Sequence, residues 1–299
     1  MQLIQIRMNN IKNEIIEKFR NGDALTKLIF INSAIFIVIS ILLVIVKLFN
    51  GSANWIHYLM FPADFYKFIV TPWSIISYMF VHSDLFHILF NMVTLFYFGK
   101  LFLEYCTQKD LIGIYILGGI AGAAFYMICY NFFPLFENYV YSGYVIGASA
   151  AVMAIVVAVS TIDPERIVRL FFIDVKVKWI AIALVLLSFI EIAGNNAGGE
   201  ITHLGGALLG FLFGYQFQRG NNITKGISSL FDKIADLFSR SRKPEIKVKY
   251  GDPKRESDYD YNYRKKKESD NIDRILDKIK QHGYDSLSSD EKKQLFTKK

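Results

Sequence analysis

Hydrophobic residues in this chain come in long blocks rather than in short alternating strings, and the blocks set the predicted elements. The first, Leu28 to Phe49, holds only small polar residues until Lys47, whose stem can lie along apolar surface while its ammonium reaches water. Such a run is long enough to cross a bilayer as a helix. Leu85 to Leu103 and Leu111 to Tyr130 predict a second and third span, the third carrying Gly118, Gly119 and Gly122, which allow close helix approach. Val145 to Ile162, stopped at Asp163-Pro164, predicts a fourth. Val175 to Ala193 and Ile201 to Phe217 predict a fifth and sixth, both short against a crossing of about 20 residues. Between the first two spans, Asn50 to Phe80 is aromatic but broken by Gly51, Pro62 and Pro72. It reads as an irregular loop half-sunk in the interface, where Trp55, Trp73, Tyr58 and Tyr66 are at home.

The flanks have a different pattern. Residues 1–27 mix Ile4, Ile11, Ile15, Ile16 and Phe19 with Arg7, Lys12, Lys18, Arg20 and Lys27, a basic amphipathic pattern that suits either a cytoplasmic membrane surface or a solvated, frayed end. The apolar core occupies 28–219. In residues 220–268, Thr224 to Arg240 predicts a surface helix through the spacing of Ile227, Leu230, Phe231 and Ile234, and Lys243 to Glu268 reads as a charged flexible linker. Residues 269–299 predict a small helical hairpin. Asp270 caps a helix that stops near Gly283, and Ser288 with Glu291 forms a capping box.

Composition agrees with the blocks: 53% of the 299 residues are hydrophobic, with 26 Phe and 17 Tyr, which is membrane composition. The net charge of +7 does not require nucleic acid, because 20 of the 34 Lys and Arg follow Gly220, as a basic tail beside a bilayer. Cys106 and Cys129 are the only cysteines, and neither a disulfide, a metal nor another cofactor is expected. The first apolar run starts too late and runs too long for a cleaved signal peptide. Five Lys and Arg precede the first span, Lys109 lies between spans two and three, and Arg166, Arg169, Lys176 and Lys178 lie between four and five, whereas the opposite loops hold Lys67. By the positive-inside rule both termini are cytoplasmic, as six spans require. The starts of spans two, four and six then face outward.

Those starts carry the candidate chemistry. Ser149 follows Gly147 and Ala148 at a helix start, where unpaired N–H groups and the positive dipole end suit an oxyanion. Taken alone, a serine in a membrane helix is more often a small packing residue. His203 within a span is a functional hypothesis by default, with a purely hydrogen-bonding role as the alternative. Gly206, Gly210 and Gly214 lie on its face of the helix and would let span four approach, so that His203 could act on Ser149 as general base and then as acid. His87 and Asn91, four apart, share a helical face, while His82 points elsewhere or lies in the loop. The pair can hold the oxygen of a tetrahedral intermediate, or can simply glue helices together.

The Gly-x-Ser of Gly147 to Ser149, the spacing of His82, His87 and Asn91, and the His-x-x-Gly-x-x-x-Gly of His203, Gly206 and Gly210 together resemble the rhomboid intramembrane serine proteases, over Leu28 to Phe217. The resemblance implies an all-α bundle of six transmembrane helices with a cytoplasmic helical tail. It implies a Ser149–His203 dyad, an oxyanion site made by His87, Asn91 and the Ser149 backbone, and a water-filled cavity open to the outer face. The implied substrates are single-span membrane proteins cut near small residues, and the implied location is a bacterial plasma membrane. The terminal hairpin has no assigned use, with a cytoplasmic partner as one role open to it. Ala150 stands where the family usually has glycine, and Ser74 follows Trp73 where arginine is usual. No His-Glu-x-x-His and no paired intramembrane aspartates are present for the other intramembrane protease chemistries. A transporter would place ionisable groups near the midplane within repeats. The alternative is a catalytically silent rhomboid-like protein that binds membrane helices. Glu200, three residues before His203, can orient it as a triad acid would, although the resemblance points to a dyad.

Overall fold

The computed structural model describes residues 13–14, 16–170, 172–226, 229, 233 and 258–296. Contacts divide the chain into two units, Met1–Ser239 and Arg240–Lys299. Most of the basic N-terminal pattern and most of the expected surface helix from Thr224 to Arg240 lie outside the described residues, as does the first half of the expected linker.

In the first unit, α1 spans Ala24–Leu48. It begins before the apolar run because Asp23 caps it, accepting the Thr26 N–H at 2.8 Å. The segment predicted as irregular is instead built from short elements. These are a 3-10 turn at Asn54–Tyr58, β1 at Phe61–Pro62, α2 at Phe65–Val70, α3 at Ser74–Ser77 and a 3-10 turn at Tyr78–Phe80. α4 (Leu85–Tyr105) is capped by Asp84, and α5 (Gln108–Phe132) by a reciprocal Thr107–Asp110 box. Asn32 ties α1 to α5, donating to the Tyr115 hydroxyl at 3.0 Å. Next come β2 (Tyr144–Val145), α6 (Ser149–Ile162), β3 (Ile167–Leu170), β4 (Ile173–Lys176), α7 (Val177–Ile190) and α8 (Ala197–Gln218).

The last three apolar segments also start away from where the sequence places them. The fourth apolar segment becomes helical only at Ser149, because Val145 pairs with Phe61 and Tyr144 with Pro62 in a two-residue antiparallel ladder. A partner more than 80 positions away leaves no local signal. The fifth starts at Val177, since β3 and β4 form a hairpin with Arg169 paired to Asp174 and with Lys176 and Lys178 both on Glu165. The sixth starts four residues early, at Ala197, with Gly198 and Gly199 inside it. A Cβ at Gly198 would lie 3.0 Å from both Tyr126 and Val145, so close packing rather than loop flexibility accounts for that glycine.

Among the described residues α1, α4 and α5 are long and apolar enough to cross a membrane, and α6 is a shorter apolar helix. α1 turns Ile37, Val38 and Ile41 outward, as a lipid-facing helix does. α6 is enclosed, with every residue from Ala150 to Ser160 buried, which is why it reads as apolar on all faces. α5 and α8 close on it through glycines. A Cβ at Gly206 would stand 2.8 Å from the Ala150 carbonyl carbon, one at Gly210 3.0 Å from that of Ala154, and one at Gly118 2.5 Å from the Ala154 Cβ.

The second unit contains α9 (Asp258–His282), a 3-10 turn at Tyr284–Ser286 and α10 (Ser289–Phe296). Asp270 therefore sits within a helix rather than at its start, and residues 258–268 are helical rather than linker. Lys, Arg and Glu have good intrinsic helix propensity and need no burial for it. Gly283, at φ +77°, ends α9. The capping box forms, with the Ser288 N–H on Glu291 Oε2 at 2.8 Å and the Glu291 N–H on Ser288 Oγ at 3.3 Å.

Candidate active site

The turn into α6 requires a glycine. Gly147 has φ +116°, and a Cβ there would fall 2.6 Å from His87 Nε2 and 3.7 Å from Ser149 Oγ. The imidazole and the hydroxyl thus face the same small volume. The Gly147 N–H donates to the Tyr78 carbonyl at 2.9 Å, and the Ala148 N–H donates to His82 Nε2 at 3.4 Å. Ser149 is the first residue of α6, whose N-cap Ala148 supplies no side-chain cap, so its N–H belongs to the unpaired first turn.

His203 lies two turns into α8. Its Nδ1 is 3.0 Å from Ser188 Oγ of α7 and 3.2 Å from Glu200 Oε2 of its own helix. α8 is registered on α6 and α5 where Gly122 meets both neighbours. A Cβ on Gly122 would be 2.5 Å from the Ala150 Cβ and 2.8 Å from the Thr202 carbonyl oxygen. That junction brings Ala150 and Thr202, the sequence neighbours of Ser149 and His203, against the same glycine. It also explains how the methyl of Ala150 is accommodated: the facing position is a glycine.

On α4, His87 Nδ1 is 3.0 Å from Ser83 Oγ, which in turn donates to Asp84 at 2.7 Å. Asn91, buried, donates one amide proton to the His87 carbonyl at 2.8 Å and keeps a second. His87, Asn91, Ser149 and His203 all line one cavity of about 1150 Å³, with Tyr139 and Asn196 at other parts of its wall. His82, Gly206 and Gly210 lie outside that lining and act through the backbone they hold. Trp73 is exposed and donates its indole N–H to the Tyr58 carbonyl at 2.8 Å, while the Ser74 that follows it is buried. Ser188 carries no motif; its only signal is a hydroxyl inside the apolar run of α7.

His82 gives this region a pH-dependent support. Burial, reinforced by the neighbouring His87, pushes its pKa down to about 4 from the ordinary 6.5, so the ring is the neutral acceptor that the Ala148 N–H requires. Between pH 6.5 and 4 the unfolded chain takes up a proton that the folded ring refuses. Stability is therefore whole above 6.5 and falls as the pH drops through that window, by on the order of 3 kcal/mol. Melting curves of wild type and His82→Gln across this range are expected to converge toward pH 4, with the variant changing less. Parallel curves would count against this role for His82.

A family model of the rhomboid domain matches residues 70–220, just over half of the chain, and a family of unknown function matches residues 256–296. The chain is 27% identical over 157 residues to RHOMBOID-like protein 12, mitochondrial, of Arabidopsis thaliana, covering 49% of this chain and 47% of that protein. It is 25% identical over 171 residues to Rhomboid protein 1, mitochondrial, of Saccharomyces cerevisiae, covering 54% and 46%. With the Presenilin-associated rhomboid-like protein, mitochondrial, of Mus musculus it shares 28% over 173 residues, covering 56% and 40%. The chain thus spans somewhat under half the length of these relatives. All three are mitochondrial by name, so the expectation of a bacterial plasma membrane gains no support from them.

Proposed function

The chain belongs to the rhomboid family, an integral membrane protein by its helices, and from that premise we propose that it is an intramembrane serine endopeptidase acting through Ser149 and His203. The observation that supports this reading is the shared cavity: Ser149, His203, His87 and Asn91 line one chamber of about 1150 Å³. In the proposed reaction His203 Nε2 takes the Ser149 hydroxyl proton as Oγ attacks the scissile carbonyl carbon. The oxyanion is held by the Ser149 N–H, His87 and Asn91. Collapse expels the amine, which receives the proton from His203, and water activated by the same imidazole hydrolyses the acyl-enzyme and restores Ser149. His87 donates only when protonated on Nε2, and in that form its Nδ1 accepts from the Ser83 N–H at 3.4 Å.

The proposed frame has six spans, formed by α1, α4, α5, α6, α7 and α8, with both termini and the β3–β4 hairpin in the cytoplasm and the cavity facing outward. The basic residues of the hairpin support that orientation. In this frame residues 28–219 are the protease core, and the terminal unit is a cytoplasmic appendage available to a partner. The substrates are single-span membrane proteins.

Purified protein in liposomes with a tagged single-span reporter tests the reading. Cleavage together with labelling of Ser149 by a fluorophosphonate is expected. A wild-type protein inert in both assays would favour the catalytically silent, helix-binding alternative. Within the same assay His87→Ala and Asn91→Ala are each expected to lower kcat by about a hundred- to a thousandfold. Unchanged kcat in both would remove them from the oxyanion site.

A further inference from the structure

Building on the proposed protease reading, we infer that Glu200 and Ser188 form a positioning pair behind His203, fixing which ring nitrogen carries the proton. Two groups from two helices converge on Nδ1: Ser188 Oγ at 3.0 Å and Glu200 Oε2 at 3.2 Å. The Glu200 carboxylate also faces the Ser188 hydroxyl and the Asn196 amide. Asn196 folds over Gly199, where a Cβ would lie 2.7 Å from its Oδ1. The carboxylate is mostly covered, its side chain 17% exposed, and the imidazole 20% exposed.

The chemistry of these groups leaves one arrangement. An ionised carboxylate only accepts hydrogen bonds, so the side of the imidazole that faces it carries the proton. The Ser188 hydroxyl has a single proton; spent on Glu200, it leaves the Ser188 oxygen as a second acceptor for Nδ1–H. Nε2 then holds a lone pair, which is the form able to take a proton from Ser149. Without Glu200 the Ser188 hydroxyl can equally donate to Nδ1, and the opposite tautomer, protonated on Nε2 and useless as a base, becomes accessible. The carboxylate also stabilises the imidazolium that forms while His203 holds the proton, as the buried acid of a serine protease triad does. The simpler role for Glu200, an acidic residue in the first turn of α8 favoured by the helix dipole, predicts a loss of stability and no specific effect on turnover.

The test uses the full-length protein with a single-span peptide substrate, following kcat, KM, the rate of fluorophosphonate labelling and the melting temperature. Glu200→Gln, which can offer its amide protons to Nδ1, is expected to lower kcat and the labelling rate together by about a hundredfold or more, with KM within about twofold of wild type. Glu200→Asp, which keeps an acceptor-only group near Ser188, is expected to retain more turnover than Glu200→Gln. Ser188→Ala is expected to cost less than Glu200→Gln. Wild-type kcat and labelling in Glu200→Gln would overturn the inference while leaving the Ser149–His203 reading intact. A lowered melting temperature with raised KM and wild-type labelling would assign Glu200 to the helix end alone and overturn it too. A wild-type protein that neither cleaves nor labels would overturn both readings.

Discussion

Ser149→Ala and His203→Ala proteins are each expected to release no product above background from the single-span reporter, a loss of about a million-fold if the pair acts as one unit. The same logic makes the double variant no worse than either single one, because a base without a nucleophile and a nucleophile without a base are equally idle. Residual rate would come from the oxyanion donors and from binding. Ser149→Ala removes one oxygen from a half-buried position at the start of α6, so its melting temperature should match wild type and its labelling by a fluorophosphonate should vanish. His203→Ala should label far more slowly, since the Ser149 hydroxyl then lacks the group that takes its proton. Product formation by purified Ser149→Ala would remove the mechanism outright. Loss of cleavage with retained substrate binding would instead separate catalysis from capture of the helix, which is where the protease and silent readings diverge.

The parts of this molecule legible in the sequence are those whose cause is local. Apolar blocks predict α1, α4 and α5 within a few residues, because a helix that long and apolar satisfies its own backbone. The capping box at Ser288 and Glu291 is readable for the same reason. What depends on a distant partner is not. The β1–β2 pairing that delays α6 to Ser149 joins segments more than 80 positions apart. The β3–β4 hairpin that shortens α7 is local, but Val175 within it continues the apolar run, so nothing in the run marks where the helix starts. At the candidate site, spacing singles out Ser149, His203, His87 and Asn91, and the structure brings all four to one cavity. Ser188 stays hidden, since a single hydroxyl in an apolar helix has no pattern, and the weight of Glu200 emerges only from its distance to Nδ1.

Gly206→Leu is expected to be the most damaging change outside the cavity, lowering stability by about 3 kcal/mol or more and abolishing cleavage. The reason lies in what a side chain would meet. Its first carbon alone would fall within contact distance of the Ala150 carbonyl oxygen, and 2.8 Å from the carbonyl carbon. These are backbone atoms of a helix buried on every side, so no rotamer change relieves the clash, and α6 and α8 must move apart. Even Gly206→Ala is expected to lower the melting temperature, with Gly210→Ala, aimed at the Ala154 backbone, behaving likewise. Gly226→Ala is the control, because nothing lies within 4 Å of a Cβ there. The catalytic consequence follows from geometry: Ser149 precedes Ala150 and His203 precedes Gly206 by one turn, so separation of the helices separates hydroxyl from imidazole. A misplacement of about 1 Å in such a pair costs on the order of a hundredfold in rate. Gly206→Ala should therefore lose kcat out of proportion to its loss of folded protein, measured as turnover per fluorophosphonate-reactive molecule at a temperature well below melting. Full turnover in Gly206→Leu would mean that the contact between α6 and α8 does not hold the serine and histidine together.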